Sequence, residues 1–326
     1  MPAEPLPPLL ERRLIIVTGK GGTGKTTIAT ALGVAAARRG HSVLLAEMGG
    51  QEQIPQRVHP GHPPVGNAAC ELRPRLTTIH IDPFEALAEY LGLQTHLRGV
   101  VDLFMRNRGV SQLLEAAPGW RELITLGKLW HLAQMEDGEG RRLYELIVVD
   151  APATGHGMTF LDVPRVVGSA VRAGPLRVHA RRVEEFLRDP DQTLLLPVSL
   201  AEELPARETV ELVRRAQTGI GMAVDRVIAN AVAPDPFPAP VPADLEQRLR
   251  CLGDDVKLGE LPTASVLAEC GAYLRARYAL NASCLEQLRQ DCGQPLVTLP
   301  YRPGQLAGAD ALDAFAQPLF ALSEAG

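Results

Sequence analysis

One stretch constrains this chain more than any other: Leu14 to Thr27, Leu-Ile-Ile-Val-Thr-Gly-Lys-Gly-Gly-Thr-Gly-Lys-Thr-Thr. Its apolar, β-branched start reads as a strand buried on both faces. Then come Gly19, four residues, Gly24, Lys25 and Thr26, the spacing of a phosphate-binding loop. Helical apolar residues follow from Ile28 to Ala37. The order matters chemically. Gly19, Gly21, Gly22 and Gly24 let the backbone turn sharply and, with Thr23, Thr26 and Thr27, present N–H groups to phosphate oxygens. The following helix brings the positive end of its dipole to the same point. Lys25 supplies a full charge for the β- and γ-phosphates, and the Thr26 hydroxyl suits Mg²⁺. ATP or ADP with Mg²⁺ is therefore the expected ligand.

Beyond the loop the chain alternates between strands and helices. Ser42–Ala46 reads as a second parallel strand, and Thr77–Ile81 as a third. The Gly-, Pro- and Gln-rich residues 49–75 between them read as a loop, with His59 and His62 as solvated loop histidines. From Pro83 to Met135 apolar residues recur at helical spacing, which points to a helical subdomain inserted at 83–135. Within it Leu103, Phe104, Met105, Leu113 and Leu114 either line a groove for an apolar protein client or pack on each other. Leu143–Asp150 reads as an apolar strand ending in an acid. A carboxylate there can hold Mg²⁺ beside Thr26, or can cap a helix. Ala151, Pro152, Thr154, Gly155 and His156 follow as a turn. Thr193–Val198 and Val224–Asn230 read as strands, with a helix over Ala206–Gln217 between them. Asn230 either pairs with an adenine edge or is a turn residue. Residues 234–242 read as a proline-rich linker before a helical stretch to about Gln290. Leu296–Pro300 is the last strand, and Asp310–Ser323 a final helix.

These segments resemble the arsenite-pump and tail-anchored-protein targeting ATPases. The resemblance rests on Lys20 after the first glycine (the deviant loop of that family), on Pro118-Gly119 with Glu122, and on Asp150-Ala-Pro-Ala-Thr-Gly-His156, which matches the family's second switch. It implies an α/β fold: a doubly wound parallel sheet in one nucleotide-binding domain spanning 1–326, with a helical subdomain before the acidic strand. It implies that Lys20 reaches the phosphates of a facing subunit, so that Lys20 and Lys25 serve catalysis. It places Asn230 and the Leu299-Pro300 loop near adenine. It also implies a homodimer, or a heterodimer with a paralogous ATPase.

Two departures stand out. Where the family carries the water-positioning Asp of its first switch, this chain has Gly49, within Glu47-Met-Gly-Gly-Gln-Glu52. A glycine cannot orient or deprotonate water. Glu47 or Glu52 substitutes only if the loop folds differently. The pattern resembles the atypical member of paired bacterial ATPases. Further, the zinc-binding Cys-x-x-Cys of the targeting enzymes is reduced to Cys270-Gly-Ala-Tyr273, so no zinc is expected.

Composition bears on the remaining classes. A net charge of −5 argues against a surface that coats nucleic acid. No run of about 18 apolar residues predicts a membrane span, and the acidic, proline-rich start is unlike a signal peptide. Five cysteines, an odd count, fit free thiols in a cytoplasmic protein. Residues 303–326 hold no Lys or Arg, which counts against a membrane-bound partitioning ATPase. The absence of Cys between 70 and 251 excludes a cluster-binding reductase.

Overall fold

The computed structural model describes residues 8–95, 119–171, 173–236, 244–252, 263–304 and 306–320, without the side chains of 93–95, 154–159 and 246. The apolar runs assemble into one sheet, formed by β1 (Leu14–Gly19), β2 (Val43–Met48), β3 (Cys70–Arg73), β4 (Leu76–Ile81), β5 (Leu146–Ala153), β6 (Thr193–Leu200), β7 (Val227–Val232) and β8 (Leu296–Pro300). The strand order is β3-β4-β2-β5-β1-β6-β7-β8. Every neighbouring pair is parallel except β3 with β4. The chain first builds outward from β1 through β2 and β4. It returns by β5 and then builds the other way. That reversal leaves the carboxyl ends of β1 and β5 side by side, where open α/β sheets bind ligands.

Helices cover both faces, which explains why the central strands are apolar without alternation. Ile15, Val17, Leu45 and Val148 point to one face. They pack with Ile28 and Leu32 of α1 (Lys25–Arg38) and, near the C-terminus, with Leu312 and Phe315. Ile16, Leu44, Ile147 and Val149 point to the other. They meet Leu126 and Leu129 of α4 (Trp120–Gln134), Phe160 of α5 (Thr154–Ala170), Val183 of α6 (Pro175–Arg188) and Leu212 of α7 (Glu203–Arg214).

Several boundaries differ from the sequence reading. The expected loop 49–75 contains a short helix, α2 (Ile54–Val58), with Pro55 in its first turn, where the missing N–H costs nothing. It also contains β3, an edge strand only half buried, so its Cys-Glu-Leu-Arg sequence carries no apolar signature. The acidic strand begins at Leu146 rather than Leu143, which is exposed, and runs on through Ala153, paired with Gly19. β7 begins at Val227 rather than Val224, and α7 at Glu203 rather than Ala206. Helices α5 and α6 cover a region to which the sequence reading assigned no element. The rest of the expected C-terminal helical stretch contains α8 (Leu245–Leu252) and α9 (Ala264–Cys292). The last helix, α10 (Ala309–Ala316), gives way to a 3₁₀ turn at Gln317–Phe320.

Of the helical insert, α3 (Pro83–Thr95) and α4 are described. The groove candidates Leu103, Phe104, Met105, Leu113 and Leu114, with Pro118, lie outside the described residues, as does most of the 234–242 linker. No described helix is long and apolar enough to cross a membrane.

Candidate nucleotide site

The site lies where β1 ends and α1 begins. The loop between them curls on itself. The Thr23 hydroxyl and the Lys25 ammonium both donate to the Lys20 carbonyl, at 2.9 and 3.1 Å. From β7 the Asn230 amide donates to the Thr23 carbonyl at 2.8 Å. Gly24, at φ +90°, leaves room for that amide: a Cβ there would stand 2.3 Å from Asn230 Nδ2. Asn230 thus braces the loop, a role its sequence position did not reveal. Pro300 stands at the carboxyl end of β8, three strands out from β1.

Facing the loop across the cleft is Asp150. Its Oδ2 accepts a 2.6 Å hydrogen bond from the Thr26 hydroxyl. Its Oδ1 is buried and has no hydrogen-bond partner among the described residues. Burial raises the Asp150 carboxyl, against the Thr26 hydrogen bond and the positive charges of Lys25 and Arg57. Burial lowers the Lys25 ammonium, and Asp150 opposes that shift. A buried carboxylate oxygen without a partner, next to a hydroxyl, fits a hard cation that takes oxygen donors. No group of three or more His, Cys, Asp or Glu that could hold a metal occurs among the described residues. Mg²⁺ needs no such cage, because phosphates and water complete its shell.

The cleft, about 310 Å³, is closed on its other side by Glu47, Met48, Gly49, Gly50, Gln51 and Gln53. Gly49 and Gly50 both have φ +68°, so the chain leaves β2 through a double left-handed turn. Glu47, only 3% exposed, lies opposite Asp150 in the ladder. Its carboxylate accepts hydrogen bonds from Gln53 N, at 2.9 and 3.0 Å, and Ile54 N, at 3.2 Å. It therefore supplies the acceptor that the first turn of α2 needs. Glu52 accepts from Val65 N at 2.7 Å and Gly66 N at 3.2 Å. Both acids are tied to backbone donors. Ala151 and Pro152 line the cleft. Thr154, Gly155 and His156 form the first turn of α5, with their side chains outside the described part.

Lys20 does not point at the loop. Its ammonium pairs with Glu208 of α7 at 2.6 Å, and both side chains are partly exposed. Arg57, on α2, is a cation near Asp150 and Glu47 that sequence reading passed over. Its Nη2 donates to Gln53 Oε1 at 2.9 Å. Only the folding of α2 brings it near, so no local motif announces it.

Burial pushes the Glu47 carboxyl up to about 7, although the two backbone donors pull it down. The native protein then holds a proton that the unfolded chain releases. The associated stabilisation is complete below about pH 4.5 and is lost as pH rises through 7. Urea unfolding between pH 5 and 8.5 is expected to show a decline worth up to roughly 3 kcal/mol from this group. Glu47→Gln is expected to flatten that decline. Equal slopes in the two proteins would refute the assignment.

A family model described as anion-transporting ATPase matches residues 12–174, from β1 to the end of α5. Over 226 residues the chain is 34% identical to ATPase BagA of Mycobacterium tuberculosis, a match covering 68% of this chain and 66% of that one. It is 26% identical to a putative arsenical pump-driving ATPase of Halobacterium salinarum, over 99% of this chain and 47% of that one. It is 24% identical to ATPase GET3 of Lachancea thermotolerans, over 66% and 71%. The chain spans about two thirds of the length of the mycobacterial relative and about half of the haloarchaeal one.

Proposed function

The chain belongs to the anion-transporting ATPase family, which takes in arsenical-pump and GET3 ATPases, and on that premise we propose that it is an ATP-binding dimeric switch coupling nucleotide binding, with slow hydrolysis, to a client or partner. The observation that supports the nucleotide-binding part of this reading is the Thr26–Asp150 contact with its unpartnered Asp150 oxygen at the mouth of the loop.

Backbone N–H groups of residues 19–26 and the start of α1 hold the phosphates. Lys25 gives up its hydrogen bond to the Lys20 carbonyl and neutralises the β- and γ-phosphates. Thr26 and Asp150 would hold Mg²⁺, which would supply positive charge to the phosphates. Asn230 keeps the loop in register and Pro300 borders the adenine end. Ala151 to His156 carry the nucleotide state from Asp150 into α5.

Lys20 is the cross-subunit residue. In the single subunit it rests on Glu208. A partly exposed pair of that kind is worth at most about 1 kcal/mol. Exchange of Glu208 for a phosphate in a water-excluded interface is therefore cheap, and the attraction gained there is larger. Light scattering with Mg²⁺ and a non-hydrolysable ATP analogue is expected to show a doubled mass for the wild type and a much weaker dimer for Lys20→Ala. A monomer in every condition would remove the dimeric switch, and equal closure of the variant would make Lys20 a bystander.

Gly49 favours a second reading, a non-catalytic nucleotide-binding subunit that regulates a paralogous ATPase. It shares the binding chemistry and differs only in turnover.

A further inference from the structure

A second cavity, about 540 Å³, lies between α3, α4 and α6 and shares no lining residue with the nucleotide cleft. Its volume is in the range of small-molecule sites. Most of its wall is apolar: Tyr90, Ile124, Trp130 and Val178 contribute. Its polar groups are few and nearly all accounted for. Lys128 is paired with Glu89, so the two charges cancel. His179 is held as part of the wall, its ring 5.4 Å from Tyr90 and edge-on to Trp130 at 5.6 Å. Gly127 makes that placement possible, because a Cβ there would stand 2.4 Å from His179 Nε2. Burial lowers both His179 and His131, which keeps the two rings neutral near pH 7 and leaves them as hydrogen-bonding groups. The last charged group is Arg182, which lines the cavity, is exposed, and makes no ion pair or hydrogen bond within the described residues. The cavity therefore offers an aromatic and aliphatic wall and one uncompensated positive charge.

We propose that this cleft binds a small organic acid, with an apolar body and a single negative charge, whose carboxylate meets Arg182 while its body lies on Trp130, Tyr90 and Val178. Charge complementarity selects this occupant. A neutral apolar molecule leaves Arg182 unused, and a cation is repelled by it. The neutral imidazoles give the carboxylate further donors, and the Glu89–Lys128 pair closes one side.

The test uses decanoate as the probe and intrinsic fluorescence as the readout, on the full chain without nucleotide. A negative result therefore leaves the ATPase reading untouched. Trp130 lines the cleft, and the only other tryptophan is Trp120. Decanoate is expected to change the emission saturably below its micellar range. Decanol and decyltrimethylammonium are expected to bind at least about tenfold more weakly. Arg182→Gln alters an exposed side chain and should fold normally. It is expected to weaken decanoate about tenfold and leave decanol unchanged. Val178→Phe, also at an exposed position, is expected to obstruct the cleft and block both. Equal binding of decanol and decanoate would overturn the proposal in favour of a generic apolar surface. So would unchanged decanoate affinity in either variant, or a signal that survives in Trp130→Phe. Tighter binding of an apolar helical peptide that competes with decanoate would overturn it in favour of a protein client.

Discussion

Replacing Lys25 by Ala is expected to weaken ATP binding roughly 100-fold or more by calorimetry, while the melting temperature without nucleotide stays close to that of the wild type. The two halves of this expectation have separate causes. In the nucleotide-free chain Lys25 makes one hydrogen bond among the described residues, to the Lys20 carbonyl, and burial has already lowered its ammonium pKa. Its loss therefore removes little stability. Against a triphosphate the same burial acts in the opposite sense, because a charge kept from water interacts more strongly. Hydrogen bonds to charged groups are worth about 1.5–3 kcal/mol each, and one ammonium can donate several. Unchanged affinity in Lys25→Ala would overturn the assignment of the loop, whatever happened to stability. A large fall in melting temperature would instead mark Lys25 as part of the loop's own structure.

The loop was legible because its signal is local. Leu14 to Val17 are buried on both faces, and a strand of that kind must be apolar at every position. Glycines and Lys25 then follow within a few residues. Features made by distant contacts were not legible. Glu208 meets Lys20 from 188 residues away. Asn230 reaches the loop across 207, and its sequence fits a turn or an adenine contact equally well. β3 was missed because an edge strand with one wet face has no apolar run to announce it. α5 was missed because it opens in a glycine-containing switch motif and carries Pro164 inside it, both of which look like a loop. The acid pair Glu47 and Glu52 shows the limit most clearly. Sequence marks both as substitutes for the missing Asp, but only the folded loop shows that their oxygens hold Gln53, Ile54, Val65 and Gly66.

That placement sharpens the expectation for hydrolysis. The isolated protein is expected to bind ATP well and turn it over slowly, and Gly49→Asp is expected to raise steady-state turnover by about 10²- to 10⁴-fold, the usual contribution of a positioned acid–base group. Glu52 is a poor substitute, because releasing it would strip two backbone donors of their acceptor at once. Glu47 is better placed, beside Asp150, but it holds the start of α2 and its carboxyl is raised to about 7, so near neutral pH it is only partly ionised. Gly49 itself can accept the substitution. Its φ of +68° lies in the left-handed region, which Asp tolerates better than most residues, and a Cβ there meets no atom within 4 Å. The variant thus tests chemistry rather than folding. Robust turnover by the wild type alone, abolished by Glu47→Gln or Glu52→Gln, would overturn the idea of a missing group and make that acid the base. A Gly49→Asp protein as slow as the wild type, accelerated only by a co-expressed paralogue, would move the missing chemistry to the partner. The chain would then be the regulatory half of a pair, binding ATP through Lys25 and lending Lys20 to its partner's site.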